Sequence, residues 1–169
     1  MVDFKTSQSM EEYMWSKYGT VIKDILTLNN PNSKIERING MLDYSCGIDA
    51  VILNPIGVDS IRFVSLRMIK GFYDTLTFRI PHTNSKKELF KLLSPYNPAP
   101  YYHVQITEGK KGTQVAILNI KELSKYVIAN PEFWNTISNY IVKAERNNFY
   151  AIPIKKLKRF CKVTNIGVV

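Results

Sequence analysis

The stretch 60–68, SIRFVSLRM, constrains the fold most. It is rich in β-branched and aromatic residues, the composition of a strand. A strand sends alternate side chains to opposite faces. Arg62, Val64, Leu66 and Met68 therefore share one face, and Ile61, Phe63, Ser65 and Arg67 share the other. Neither face is purely apolar, so the segment reads as a central strand carrying a polar site on one side.

Its neighbours in sequence read the same way. IDAVIL at 48–53 and TLTFRI at 75–80 are strands, MLDYS at 41–45 is a shorter one, and NPIG turns the chain between the first pair. Short connections favour 48–53, 60–68 and 75–80 as adjacent strands of one mixed sheet. Before them, 9–28 reads as a helix. Ser9 is placed to cap it, Glu11 and Glu12 sit in its first turn, and Met14, Tyr18, Val21, Ile22, Ile25 and Leu28 recur at helical spacing. Gly19 argues against an unbroken helix. After them, NSKKELFKLL at 84–93 reads as a short amphipathic helix. YYHVQI and QVAILNI form a hairpin through TEGKKG. KELSKYVIAN and PEFWNTISNYIVKAE are helices, the second opened by Pro131. NNFYAIPIKKLKRF reads as a strand running into a basic helix. With no repeat, low-complexity run or linker, the expectation is one α+β domain over 1–169, a central mixed sheet flanked by helices.

At 169 residues and 45% apolar composition the chain can bury a core. No apolar run approaches the ~18 residues of a membrane span, and MVDFKTSQSM lacks an apolar leader core. A soluble cytoplasmic protein with no membrane partner is expected. Two cysteines, Cys46 and Cys161, are too few for a disulfide scaffold or a zinc knuckle. The charge of +9 is unevenly spread: residues 1–60 hold 5 Lys/Arg against 8 Asp/Glu, and residues 61–169 hold 18 against 6. Acids early and bases late suit a metal-holding region followed by a phosphate-holding one, with DNA as the partner.

Several chemistries drop out. No Gly-rich loop stands before a helix in phosphate-binding spacing, and His82 and His103 are too isolated for a zinc site or a triad. What remains is Asp43, Asp49, Ser65 and Arg67. Phosphodiester hydrolysis uses a divalent cation to activate water and to stabilise charge, and Mg²⁺ takes one or two carboxylates with waters. Asp49, opening one strand, can meet Arg67 on the next across a hairpin. Asp43, Glu36 or a first-helix Glu could add a ligand. Two plainer readings stay open: Asp49 beside Gly47 ends a turn, or Arg67 pairs with Asp49. Lys155, Lys156, Lys158 and Arg159 are either a phosphate-contacting edge, extended by GKKG at 109–112 and Lys86/Lys87, or a solvated helix face.

The order of helix, LDYSCGIDAVI, IRFVSLRM, LTFRI, short helix, HVQI hairpin and FYAIPIKKL resembles the PD-(D/E)XK nuclease superfamily. It is most similar to divergent members from phages and mobile elements with a D…GTD element and an FTIR-like segment. Asp43, Gly47 and Asp49 match the first element, Ser65 and Arg67 stand at the second motif, and Thr77, Phe78 and Arg79 lie near the third. The resemblance implies a restriction-endonuclease-like fold, Mg²⁺ held by Asp49 and Asp43, which the reading of the acids extends to Glu36, catalysis by Asp49, Arg67 and Ser65, and DNA contact from Arg79; the basic segment is separate evidence for DNA. It implies a Mg²⁺-dependent DNA endonuclease or junction-resolving nuclease. The second motif departs from the pattern. Acid-x-Lys reads Ser65-Leu66-Arg67, and an arginine is no general base. The alternative is a catalytically degenerate nuclease-fold protein, either DNA-binding or a phage inhibitor acting on a host protein. A homodimer also stays open.

Overall fold

The computed structural model describes residues 4–27, 31–38, 48–53, 61–71, 73–80, 100–143 and 148–166. Helix α1 (Phe4–Thr27) buries Met14, Tyr18, Ile22 and Leu26, which fall four apart and so form one stripe. It begins at Phe4, so Ser9 lies inside the helix and is not its cap. Gly19 does not break it. The Trp15 indole folds back over this position, where an added Cβ would stand 3.4 Å from the ring.

The strands follow as β1 (Lys34–Arg37), β2 (Ala50–Leu53), β3 (Ile61–Lys70), β4 (Thr75–Ile80), β5 (Tyr102–Gly109) and β6 (Gly112–Asn119). Then come helices α2 (Ile120–Ala129) and α3 (Pro131–Ser138), strands β7 (Ile141–Val142) and β8 (Asn148–Pro153), a 3₁₀ turn over Ile154–Lys156, and β9 (Cys161–Ile166). The fold is α+β around a mixed six-stranded sheet, in the order β1-β2-β3-β5-β6-β9. Every pairing in it is antiparallel except β3 with β5.

Strand 60–68 is central, as its sequence implies, and 48–53 pairs beside it. Strand 75–80 does not join them. It enters a second sheet of order β4-β8-β7. The reason is that β2 and β5 already occupy both edges of β3. Gly71, at φ +110°, donates to the Glu108 carbonyl at 2.7 Å and turns the chain off the sheet. That backbone conformation suits glycine. Segments 41–45 and 84–93, with Asp43, Gly47 and Cys46, lie outside the described residues.

The large sheet is covered on both faces. On one, Ala50, Ile52, Val64, Val104, Ile106, Val115 and Ile117 pack against the α1 stripe. On the other, Ala116 and Leu118 of β6 meet Leu76 and Phe78 of β4, Tyr150 and Ile152 of β8, Leu123 of α2 and Ile137 of α3. Pro131 stands in the first turn of α3, as expected, but that helix stops at Ser138 and the chain becomes β7.

The expected basic helix is absent. Ile154, Leu157 and Phe160 are buried and fall three apart, the period of 3₁₀ turns rather than of a long α-helix. Leu157 N–H reaches the Ile154 carbonyl at 2.9 Å, and Phe160 N–H reaches that of Leu157 at 2.8 Å. Two tight turns thus plug three apolar groups into the core. The chain then leaves as β9, whose Val163, Thr164 and Ile166 suit a strand.

Candidate functional site between the two sheets

The face of β3 and β5 turned away from α1 is polar. The parallel register sets Ser65 opposite His103 and Arg67 opposite Gln105. Their chain neighbours Val64, Leu66, Val104 and Ile106 point into the α1 core. Asp49 precedes β2. Its neighbour Ala50 pairs with Val64 and packs toward α1, so Asp49 falls on the polar side.

Asp49 has a backbone task. Its N–H donates to the Val64 carbonyl at 2.9 Å, and its Oδ2 accepts from Leu66 N–H at 2.5 Å. The β2 ladder ends at Ala50 while β3 runs on, so the carboxylate carries the pairing one step further. A carboxylate accepting from a backbone N–H makes a charge-assisted bond, stronger than a neutral one.

Ser65 is buried, with Oγ 3.1 Å from His103 Nδ1. The His103 ring is fully buried and tilts against Phe78 at a centroid distance of 4.8 Å. Its Nε2 has no hydrogen-bond partner among the described residues. Burial, and then the positive charge of Arg67, push the His103 pKa down to about 3. The imidazole is neutral at physiological pH and takes up a proton only in acid.

Gln105 joins the two sheets. Its side-chain oxygen accepts from Thr77 N–H at 2.8 Å and from Thr77 Oγ1 at 3.2 Å. Its Nε2 donates to the Thr75 carbonyl at 2.7 Å. One carboxamide therefore takes the place of a pairing strand along the edge of β4 that β8 leaves open.

The other expected site residues are spread out. Glu36, paired with Val51 on β1, is exposed and shares the face of Asp49 one strand further out. Asp43 is not among the described residues, and the side chain of Arg79 is likewise outside them, although its backbone pairs with Phe149. Lys155, Lys156, Lys158 and Arg159 are exposed on the tight turns. Arg159 lies over the Tyr126 and Phe160 rings, at 5.0 and 5.7 Å. Lys110 and Lys111 cap the β5–β6 hairpin at the far end of β6 from this segment, so they do not extend its edge.

Mg²⁺ prefers octahedral oxygen ligands, commonly one or two carboxylates with waters. Ser65 faces His103, and the Asp49 Oδ2 is committed to Leu66. Among the described residues no three of His, Cys, Asp and Glu gather as a metal-binding group. These donors supply a partial ligand set at most. The sequence did carry a signal for the polar seam that motif reading passed over. His103, Gln105 and Thr107 alternate with Val104 and Ile106, placing three polar groups on one face of a buried strand. Comparison of the chain with protein-family models, with curated proteins and with solved structures finds no match in any of the three.

Proposed function

We propose that this chain is a DNA-binding protein on a PD-(D/E)XK-like core whose metal site has degenerated. The observation that carries the reading is Ser65. Where the resembling superfamily keeps an acid, this residue is buried and bonded to a neutral histidine. A carboxylate there would be desolvated against His103 and Phe78. Support for the core comes from order and direction. Helix α1 and the short β1 are followed by β2 with Asp49 just before it, then β3 with Arg67, and, after β4 has left for the second sheet, β5 laid parallel to β3. Support for DNA comes from four exposed cations in five residues, Lys155, Lys156, Lys158 and Arg159, the kind of group that holds phosphate without reading sequence.

A Mg²⁺-dependent endonuclease or junction-resolving nuclease is the second reading, favoured by Glu36 and Asp49 sharing the face of Arg67. Asp43 would complete its acids. The metal would supply an activated water, and Arg67 would hold a phosphate oxygen.

Fluorescence anisotropy with unrelated duplexes, beside a cleavage assay in Mg²⁺ or Mn²⁺, separates the two. About four phosphate contacts imply a loss of roughly 100-fold in affinity between about 50 and 200 mM salt. Changing Lys155, Lys156, Lys158 and Arg159 together to Glu weakens every duplex alike and leaves the unfolding midpoint in place. Intact affinity in that variant would make the segment a solvated surface. Cleavage that Asp49→Asn abolishes would install the second reading.

A further inference from the structure

At the end of the large sheet where β5 begins and β6 ends, a cavity of about 340 Å³ opens. Three cations line it: Arg62 from β3, Arg159 from the turn before β9, and Lys162 from β9. No acid is among its lining residues. Glu122, on the first turn of α2, acts electrostatically on the Tyr102 hydroxyl at its margin. Leu26 and Ile117 give the cavity apolar walls, and Asn119 adds a polar one.

The two guanidinium groups are held in place. Arg62 lies 4.9 Å from the Tyr101 ring centroid, with Nη1 3.4 Å from the Tyr102 hydroxyl. Its Nε is buried and has no hydrogen-bond partner among the described residues. Arg159 is stacked on two aromatic rings. Among the described residues, neither arginine has a carboxylate in ion-pair range, where Lys17 and Glu108 meet at 2.7 Å. Cations brought together repel one another, and a buried N–H without an acceptor is costly. An anion in the cavity relieves both. Planar donors fixed by aromatic faces match phosphate oxygens and lose little freedom on binding.

We propose that this cavity binds a phosphoryl group carried on a small organic body, anchored by Arg62, Arg159 and Lys162. The volume exceeds what a bare phosphate fills, and the apolar walls suit the attached group. The phosphoryl group belongs either to a free small phosphate ester or to the terminal phosphate of a nucleic-acid strand. The cavity shares Arg159 with the segment proposed to hold duplex DNA, while Arg62 and Lys162 belong to the cavity alone.

Calorimetry on the full chain tests it with inorganic phosphate, adenosine monophosphate, and one single-stranded oligonucleotide with and without a 5′-phosphate. Arg159→Gln and Lys162→Gln, both at exposed residues, should each weaken binding about tenfold and together about 100-fold. Lys110→Gln/Lys111→Gln, exposed on the β5–β6 hairpin at the far end of β6, should leave it unchanged. Monophosphate binding without gain from a strand's 5′-phosphate identifies a free ester. Preference for the phosphorylated strand identifies a terminal phosphate. The proposal is overturned if no probe binds at millimolar concentration, if the Arg159/Lys162 double variant binds like the parent, or if the Lys110/Lys111 variant weakens it equally. Salt-sensitive duplex binding, measured on the same samples, reads the DNA proposal separately.

Discussion

The two faces of the central sheet are made by the same strands yet built on different physics. Toward α1, β3 and β5 present Val64, Val104 and Ile106 to a stripe of Met14, Tyr18, Ile22 and Leu26. That contact is held by burial and shape, neither of which is directional. Toward the second sheet the same two strands present Ser65, His103, Gln105 and Thr107, all buried. Here position is set by hydrogen bonds with defined partners, and Gln105 ties the open edge of β4 to β5. The apolar face tolerates small shifts. The polar face does not, because a buried donor or acceptor out of reach costs more than a loosened methyl.

That contrast can be broken at its strongest point first. Ile22→Ala opens a cavity in the helix-covered face, and urea unfolding should show a loss of about 2–5 kcal/mol. Gln105→Leu keeps a similar volume and adds apolar surface, yet it strands Thr77 N–H and the Thr75 carbonyl. A loss of about 2–4 kcal/mol is expected from two unsatisfied groups. A stable Gln105→Leu protein would mean that the polar face is tolerated rather than required.

The smallest effect is a slope with pH. His103 is held neutral, its pKa lowered to about 3 in the folded protein, while an unfolded histidine titrates near 6.5. Between these values the unfolded chain binds the extra proton. The stability from this site is therefore full above about pH 6.5 and is lost as pH falls, at roughly 1.4 kcal/mol per unit at its steepest. Unfolding midpoints between pH 7 and pH 4.5 should fall for the parent chain and fall less for His103→Gln. Equal slopes would mean that water or a neighbouring group satisfies the ring when it is charged.

The segments read in order give α1, the 48–53 and 60–68 strands and the β5–β6 hairpin; they misplace the α1 cap, the sheet of 75–80, the end of α3 and the basic segment, and they pass over β1 and β7. The β5–β6 hairpin, the 48–53 and 60–68 pair, and the α1 stripe all follow from period and turn chemistry. The run IKKLKRF misled because lysine favours helices, while Ile154, Leu157 and Phe160 fall at a spacing of three, which 3₁₀ turns carry inward one after another. Strand 75–80 was legible as a strand but not as a member of a second sheet. Nothing local says that both edges of β3 are taken. Of the candidate site, Asp49, Ser65 and Arg67 were legible as residues, His103 and Gln105 were not, and none of their duties was. Asp49 reads as an acid poised for a metal, and its Oδ2 instead accepts a backbone N–H because β2 stops short of β3.

The sequence by itself determined that this chain is basic in its later part, that 60–68 is a central strand, and that one side of that strand carries polar groups. Those properties depend on residue type and on the two-residue period of a strand, both of which are local. Only the tertiary structure decided which strand lies parallel to β3, and so that Ser65 meets His103 and Arg67 stands beside Gln105. It alone decided that Arg62, Arg159 and Lys162, from distant parts of the chain, line one cavity. The physical reason is that such meetings depend on register between segments far apart in sequence. Register is selected by the burial of whole faces at once, and no single segment carries that information.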